Sequence, residues 1–293
     1  MLSKSKISIR FFEDREVRAV WDDANAKWWF SVIDIVAVLR NQDDYTKNRN
    51  YWKYLKAKLK KANTEVVSAT TQLKLLAPDG KKRLSDMLDY NGIIALGKTF
   101  PSKNANRFIE WFTYSPESID GKSKTKAYAL FETAFVDNIE VGTANGLQQI
   151  HAYIFGGLYD FAGQIRTKNI AKGDYRFEHA QYLNKSLLQI DQMPETNFEE
   201  IVEKYVAMNK AHPFMEGNGR STRIWLDLML KKQLKCCIDW SKISKANYMN
   251  AMIISLVDSS VLQELLKKAL TSEINSREMY MKGIDYSYYY EEN

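Results

Sequence analysis

Between His212 and Arg223 the chain reads His-Pro-Phe-Met-Glu-Gly-Asn-Gly-Arg-Ser-Thr-Arg, and most of these residue types have a part in phosphate chemistry. A neutral imidazole, His212, can take a proton from a hydroxyl too weakly acidic to attack unaided. Gly217 and Gly219 can adopt backbone angles closed to other residues, and a helix starting near Gly219 turns its unbonded amides toward whatever fills the loop, which suits an anion. Arg220 and Arg223, three apart on that helix, reach neighbouring faces and can clamp further phosphate oxygens. Glu216 offers a hard oxygen ligand, and a magnesium ion commonly takes one or two carboxylates together with substrate phosphates. A lone histidine, a Gly-Asn-Gly turn or an arginine pair is ordinarily structural. Their convergence in one short segment is what points to a nucleotide site.

Those residues need elements to hold them. The segment from Asn197 to Ala211 places Ile201, Val202, Tyr205, Val206 and Met208 on one side and Glu199, Glu200 and Glu203 on the other, the period of an amphipathic helix. Pro213 disfavours helical geometry in the residue before it, so that helix ends at His212. Helical spacing recurs over 127–138, 144–159, 179–192, 219–234, 244–256 and 259–273, while Ile165 to Phe177 carries β-formers around Lys172-Gly173-Asp174 and predicts a hairpin.

The run His-Pro-Phe-x-Glu-Gly-Asn-Gly-Arg-x-x-Arg resembles the signature of the Fic family, without a gap or substitution. The likeness extends through Tyr159-Asp-Phe-Ala-Gly-Gln-Ile-Arg166 and Lys172-Gly-Asp-Tyr-Arg-Phe177, so it covers roughly 127–293. The resemblance implies transfer of AMP from Mg-ATP to a Ser, Thr or Tyr hydroxyl of a target protein. His212 would be the base and Glu216 the magnesium ligand. Phe214, Gly217, Asn218, Gly219, Arg220 and Arg223 would bind the nucleotide, with Asn218 and the two glycine amides around the α-phosphate. The hairpin would be a flap that pairs with target backbone through Lys172, Gly173, Asp174 and Tyr175, an interaction with little sequence preference. The resemblance further implies an inhibitory helix of pattern Ser/Thr-x-x-x-Glu-Gly/Asn. The C-terminal Ser287 and Glu291 fit its core, with Glu292 in place of the usual Gly or Asn. The same spacing occurs at Thr113/Glu117, Thr196/Glu200 and Ser260/Glu264, and Thr196 is read instead as a helix cap. The expected pair is Glu291 with Arg223.

The N-terminal part reads differently. Residues 7–40 alternate apolar and polar side chains as short strands do, followed by a helix from Val32 with Ser31 as its cap. Lys47 to Lys61 has seven basic residues and no acidic one, interleaved with Tyr51, Trp52 and Tyr54. That is either a phosphate-binding surface or a solvated helix face. Gly92 to Thr99 meets the formal phosphate-loop pattern. It follows a charged rather than an apolar segment and leads to Pro101, so an inward-packing helix is the better reading. Phe11-Phe12-Glu13, Trp28 to Ile35 and the block from Leu84 to Phe112 resemble a Bro-N-type antirepressor domain, which implies a DNA-binding role.

The expected architecture is an α+β module over 1–115, a Ser- and Lys-rich linker at 116–126, and a mainly α-helical Fic domain with one β-hairpin flap over 127–293. At 293 residues the length suits two domains, and a net charge of +6 favours anionic partners. Two adjacent cysteines cannot form a disulfide framework, and no segment has the apolar length of a membrane span or the pattern of a secretory signal. The expectation is a cytoplasmic protein with ATP, a hydroxyl-bearing target protein and DNA as candidate partners, and Mg2+ as cofactor. Two alternatives stay open: a DNA-binding regulator with a silent or sensory Fic half, and Fic transfer of another phosphate-linked group.

Overall fold

The computed structural model describes residues 7–12, 15–22, 24–25, 27–62, 64–76, 81–114, 117–173 and 175–291. The chain divides into two compact units, Met1–Glu117 and Ser118–Asn293.

The first unit is sheet-rich at its start. Strands β1 (Ile7–Phe12), β2 (Arg15–Asp22) and β3 (Lys27–Ser31) run antiparallel, and β4 (Thr71–Leu76) and β5 (Lys82–Leu88) complete a sheet of order β1-β2-β3-β5-β4. The alternation in β2 buries Val17 and Ala19. Ser31 caps helix α1 (Val32–Arg40), its side chain accepting from the Asp34 amide, as expected from the sequence. Asp34 in turn receives the Arg18 guanidinium at 2.7 Å, tying that helix to β2. Helix α2 (Tyr45–Lys61) buries Asn48, Trp52, Leu55 and Leu59, while Lys53, Lys58, Lys60 and Lys61 stand exposed on its other faces. After the short α3 (Glu65–Ser68), the phosphate-loop lookalike forms helix α4 (Tyr90–Lys98), with Gly92 and Gly97 buried. A Cβ at Gly97 would press on Ile109 of helix α5 (Lys103–Tyr114), so that glycine serves close packing and not a ligand.

The second unit is mainly helical. Its core joins α7 (Ala144–Phe155), α9 (Phe198–Ala211) and α10 (Asn218–Leu234), with Ile150, Ile154, Val202, Tyr205, Trp225 and Leu226 buried among them. Around these lie α6 (Ile119–Glu132), α8 (Leu183–Asp191), α11 (Lys245–Ile254), α12 (Ser260–Lys268) and α13 (Arg277–Tyr289). The expected hairpin is present as β6 (Ala171–Lys172) and β7 (Tyr175–Arg176), and a second small pair joins β8 (Cys237–Ile238) to β9 (Leu270–Thr271).

Two expectations need correction. Most of the segment read as a linker is helix: α6 starts at Ile119, capped by Ser118, whose hydroxyl accepts from the Gly121 amide. Its composition misleads because the buried residues are small or few, Ser123, Ala127 and Leu130. Polar groups make its other contacts. Lys124 and Tyr128 both reach the wholly buried Asp285 of α13, and Tyr288 bonds Ser123 at 3.0 Å. The second correction is local. Asn197, not Thr196, caps α9 by accepting from the Glu200 amide, and Thr196 donates through its amide and hydroxyl to the Glu200 carboxylate.

Candidate active site

Helix α9 delivers His212 as its C-cap in the left-handed conformation, φ 48° and ψ 65°. A side chain other than glycine rarely sits there unless its surroundings hold it. The His212 Nδ1 lies 3.2 Å from the Asn209 carbonyl, an acceptor, which puts the proton on Nδ1 and the lone pair on Nε2. The Phe177 ring, at the end of the hairpin, stacks on the imidazole with centroids 3.7 Å apart. Burial is the chief cause that lowers the His212 pKa to about 4. Lys172 and Arg166 push in the same direction, against the Asn209 carbonyl and Glu291. The imidazole is therefore neutral at physiological pH.

The loop after it is braced by its own polar groups. Asn218 accepts from the Phe214 amide at 2.9 Å and donates to the Phe214 carbonyl at 2.8 Å. Both ends of its amide are engaged with backbone, so Asn218 shapes the loop where the sequence suggested a ligand contact. Phe214 is buried and stacks on His151. His151 accepts from the Gly163 amide through Nδ1, so its Nε2 proton goes to the Glu216 carbonyl at 2.9 Å. Burial lowers its pKa to about 4 as well. Gly217 is required for two reasons: its φ is +80°, and a Cβ there would meet the Phe155 ring.

At the start of α10 the charged groups converge. Glu216, half-exposed, accepts from the Gly217 amide at 2.9 Å and from Arg220 at 3.0 Å. Arg220 is buried, pairs also with Asp120 of α6, and keeps its buried Nε without a hydrogen-bond partner among the described residues. Arg223 is buried too. It donates to the Ser287 hydroxyl at 2.8 Å, the Ser287 carbonyl at 2.7 Å and the Glu291 carboxylate at 2.5 Å. Burial alone would raise the pKa of Glu291, yet the Arg223 guanidinium outweighs it and holds the carboxyl below its ordinary range. A Cβ on Gly219 would collide with that same carboxylate, so a negative group already rests against the first turn of α10.

His212, Phe214, Glu216 and Gly217 to Arg223 thus share one loop and one helix start, with Ser287 and Glu291 packed onto Arg223. In the hairpin, Lys172 and Gly173 are exposed and Tyr175 is half-buried. Asp174 and Glu292 lie outside the described residues. Sequence reasoning missed three participants. Asp120 was hidden in the supposed linker. Phe177 was read as the end of the flap rather than as a cover for the base. The third, Arg166, is 4% exposed and bonds the carbonyls of Ala211 and His212; the sequence placed it at the end of a stretch that carries the family likeness but gave it no role.

The Fic/DOC family model matches residues 142–230. Protein adenylyltransferase VbhT of Bartonella schoenbuchensis is 29% identical over 154 residues, 47% of this chain and 32% of that protein. A probable protein adenylyltransferase Fic of Salmonella typhimurium is 29% identical over 138 residues, 42% of this chain and 66% of that protein. The chain spans about a third to two thirds of the length of these curated relatives. Among solved structures, the BepC effector of Bartonella tribocorum with bound AMPPNP gives a TM-score of 0.44 at 18% identity, covering 54% of this chain and 87% of that one. Among the described residues no helix is long and apolar enough to cross a membrane.

Proposed function

We propose, starting from a chain that is a Fic/DOC domain protein with homologues named protein adenylyltransferase, that it transfers AMP from ATP to a Ser, Thr or Tyr hydroxyl of a target protein and is restrained by its own C-terminal helix. The observation that carries this reading is the place of Glu291. Its carboxylate rests on Gly219 and on the Arg223 guanidinium, so the start of α10 accepts an anion on the same loop that carries His212.

In the transfer, His212 Nε2 takes the proton from the target hydroxyl. The hydroxyl oxygen forms a bond to the α-phosphorus while the bond from that phosphorus to the pyrophosphate oxygen breaks. Preorganised donors around a phosphorus gaining charge are commonly the largest catalytic contribution. Here those donors are the first amides of α10 with Arg220 and Arg223. The Arg220 Nε, without a partner among the described residues, supports that role, since a buried donor left unbonded is costly and an incoming phosphate oxygen would satisfy it. The groups present also fit a magnesium ion that arrives with the nucleotide. Glu216 is a single, half-exposed carboxylate beside the phosphate end, and it would hold the ion once Arg220 turns to the phosphates. A bound magnesium ion would neutralise phosphate charge. The exposed hairpin residues Lys172 and Gly173 would present backbone to the target.

Autoinhibition follows from competition. A nucleotide must displace Glu291 from Arg223 and from the helix start, and α13 is fastened by the Lys124–Asp285 pair at 2.7 Å and by Tyr290, whose hydroxyl donates at 2.8 Å to the Ile243 carbonyl. The test is incorporation from α-labelled ATP with Mg2+ into purified protein and lysate. Labelling by Glu291→Gly that disappears in Glu291→Gly/His212→Ala is the expected result. No labelling by any form, with label taken instead from another phosphate-linked donor, would overturn AMP transfer.

One observation favours a second role for the first unit. The exposed lysines of α2, with Tyr54 67% exposed among them, form a basic face with an aromatic ring that suits a nucleic-acid backbone. Binding to duplex DNA that weakens steeply with salt would support it, and salt-insensitive or absent binding would refute it.

A further inference from the structure

Arg166 carries a full charge into the protein, and its guanidinium spends its donors on main-chain carbonyls. Nε donates to His212 at 2.8 Å, Nη1 to Lys168 at 2.7 Å, and Nη2 to Glu178 at 2.5 Å and Ala211 at 3.1 Å. Its own amide donates to the Pro213 carbonyl at 2.8 Å. Two of those carbonyls, Ala211 and His212, belong to the end of α9, where the helix leaves its last acceptors unbonded and presents the negative end of its dipole. The other two, Lys168 and Glu178, flank the hairpin on either side. A desolvated guanidinium is stable in such a place only while its hydrogen bonds are kept, so the four carbonyls are held at fixed separations.

The geometry points to Arg166 as a positioning residue of the transfer reaction, one that fixes the left-handed His212 and the flap against each other. This rests on the AMP-transfer reading above. Two observations converge on it. His212 occupies a backbone conformation that needs external support, and its ring is covered by Phe177, which hangs from the same hairpin whose two ends Arg166 ties down. Moving the hairpin relative to α9 would therefore uncover the imidazole, and relaxing the end of α9 would turn it. Lysine keeps the charge but offers a compact ammonium in place of the planar fork, so it cannot span all four acceptors.

The test uses the full chain with Arg166→Lys and Arg166→Met. Three histidines make nitrogen-labelled histidine spectra readable. In the parent, His212 should carry its proton on Nδ1 and titrate near 4, while His151 should carry its proton on Nε2 and titrate near 4 independently. In folded Arg166→Lys, His212 should become a mixture of tautomers with a titration rising toward the ordinary value of about 6.5, while His151 stays as it was. Amide exchange at residues 171–176 should quicken about tenfold, by the arithmetic of a stability loss near one factor of ten. On the Glu291→Gly background kcat should fall about 100-fold with little change in KM for ATP, as a misplaced catalytic group does. A folded Arg166→Lys with unchanged His212 tautomer, titration and hairpin exchange would overturn the proposal. So would failure of both variants to fold, which would make Arg166 a determinant of the fold. Absence of AMP transfer in Glu291→Gly itself would instead sink the transfer reading, and the spectra and exchange would still decide the role of Arg166.

Discussion

The two ends of the motif are held by different kinds of contact. At the His212 end the partners are backbone carbonyls and an aromatic ring: Asn209, the fan from Arg166, and Phe177. At the arginine end carboxylates join the partners, with Asp120 and Glu216 on Arg220 and Glu291 on Arg223 beside the hydroxyl and carbonyl of Ser287. Backbone contacts persist as long as the fold does. Carboxylates are anions, and another anion can replace them. The base end is thus assembled as part of the structure, whereas the phosphate end is occupied by groups chemically akin to what we propose it binds. Control by the chain's own acids is therefore expected at the arginine end and not at the base.

The comparison can be broken at several points. The largest effect is expected for His212→Ala in the Glu291→Gly background, a loss of about 100-fold to 10,000-fold in labelling, the range for removal of a general base. A residual rate close to the parent would show that the base end is not where the proton goes. Next, Glu291→Gly should raise labelling by about tenfold or more over wild type, and Glu291→Gln by less. The amide keeps a hydrogen bond to Arg223 and loses the charge, so equal activation by both would mean that charge is the whole of the restraint. Asp120→Asn should raise labelling only about two- to fivefold, because Asp120 is 62% exposed and exposed pairs contribute little. An increase matching that of Glu291→Gly would erase the ranking of the two contacts.

A separate expectation, read in stability and not in labelling, concerns acid. His151 and His212 are held near 4 in the folded protein against about 6.5 when unfolded. Between those values the unfolded chain binds protons that the folded one does not, so stability is full above about 6.5 and falls as the pH drops toward 4. The slope is roughly 1 kcal/mol per pH unit for each histidine. Urea midpoints measured from pH 7 to 4.5 should show it, and His151→Gln should remove part of the slope. A flat profile would mean that the two imidazoles are more solvated than their packing indicates.

Much of this was readable in one dimension because the relevant physics is local. The Ser31 cap, the end of α9 before Pro213, the hairpin around Gly173 and the packing role of Gly97 all depend on backbone preferences within a few residues. Helix α6 was not readable, because a helix docked through Lys124, Tyr128 and Ser123 lacks the apolar stripe that reveals one docked through leucines. Asn218 shows another limit. Its residue type suits a ligand contact and a loop brace equally, and only the two bonds to Phe214 distinguish them.

By itself the sequence determined which groups are available at the site: a histidine at a helix end, glycines at a helix start, two arginines and an acid, each following from residue type and near-neighbour spacing. The family likeness supplied one pairing, Glu291 with Arg223, and only the tertiary structure decided the other engagements. Asp120, Arg166, Ser287 and Glu291 reach the motif from 46 to 100 positions away along the chain. Contacts over such separations come from packing whole helices against one another, and no local preference encodes them.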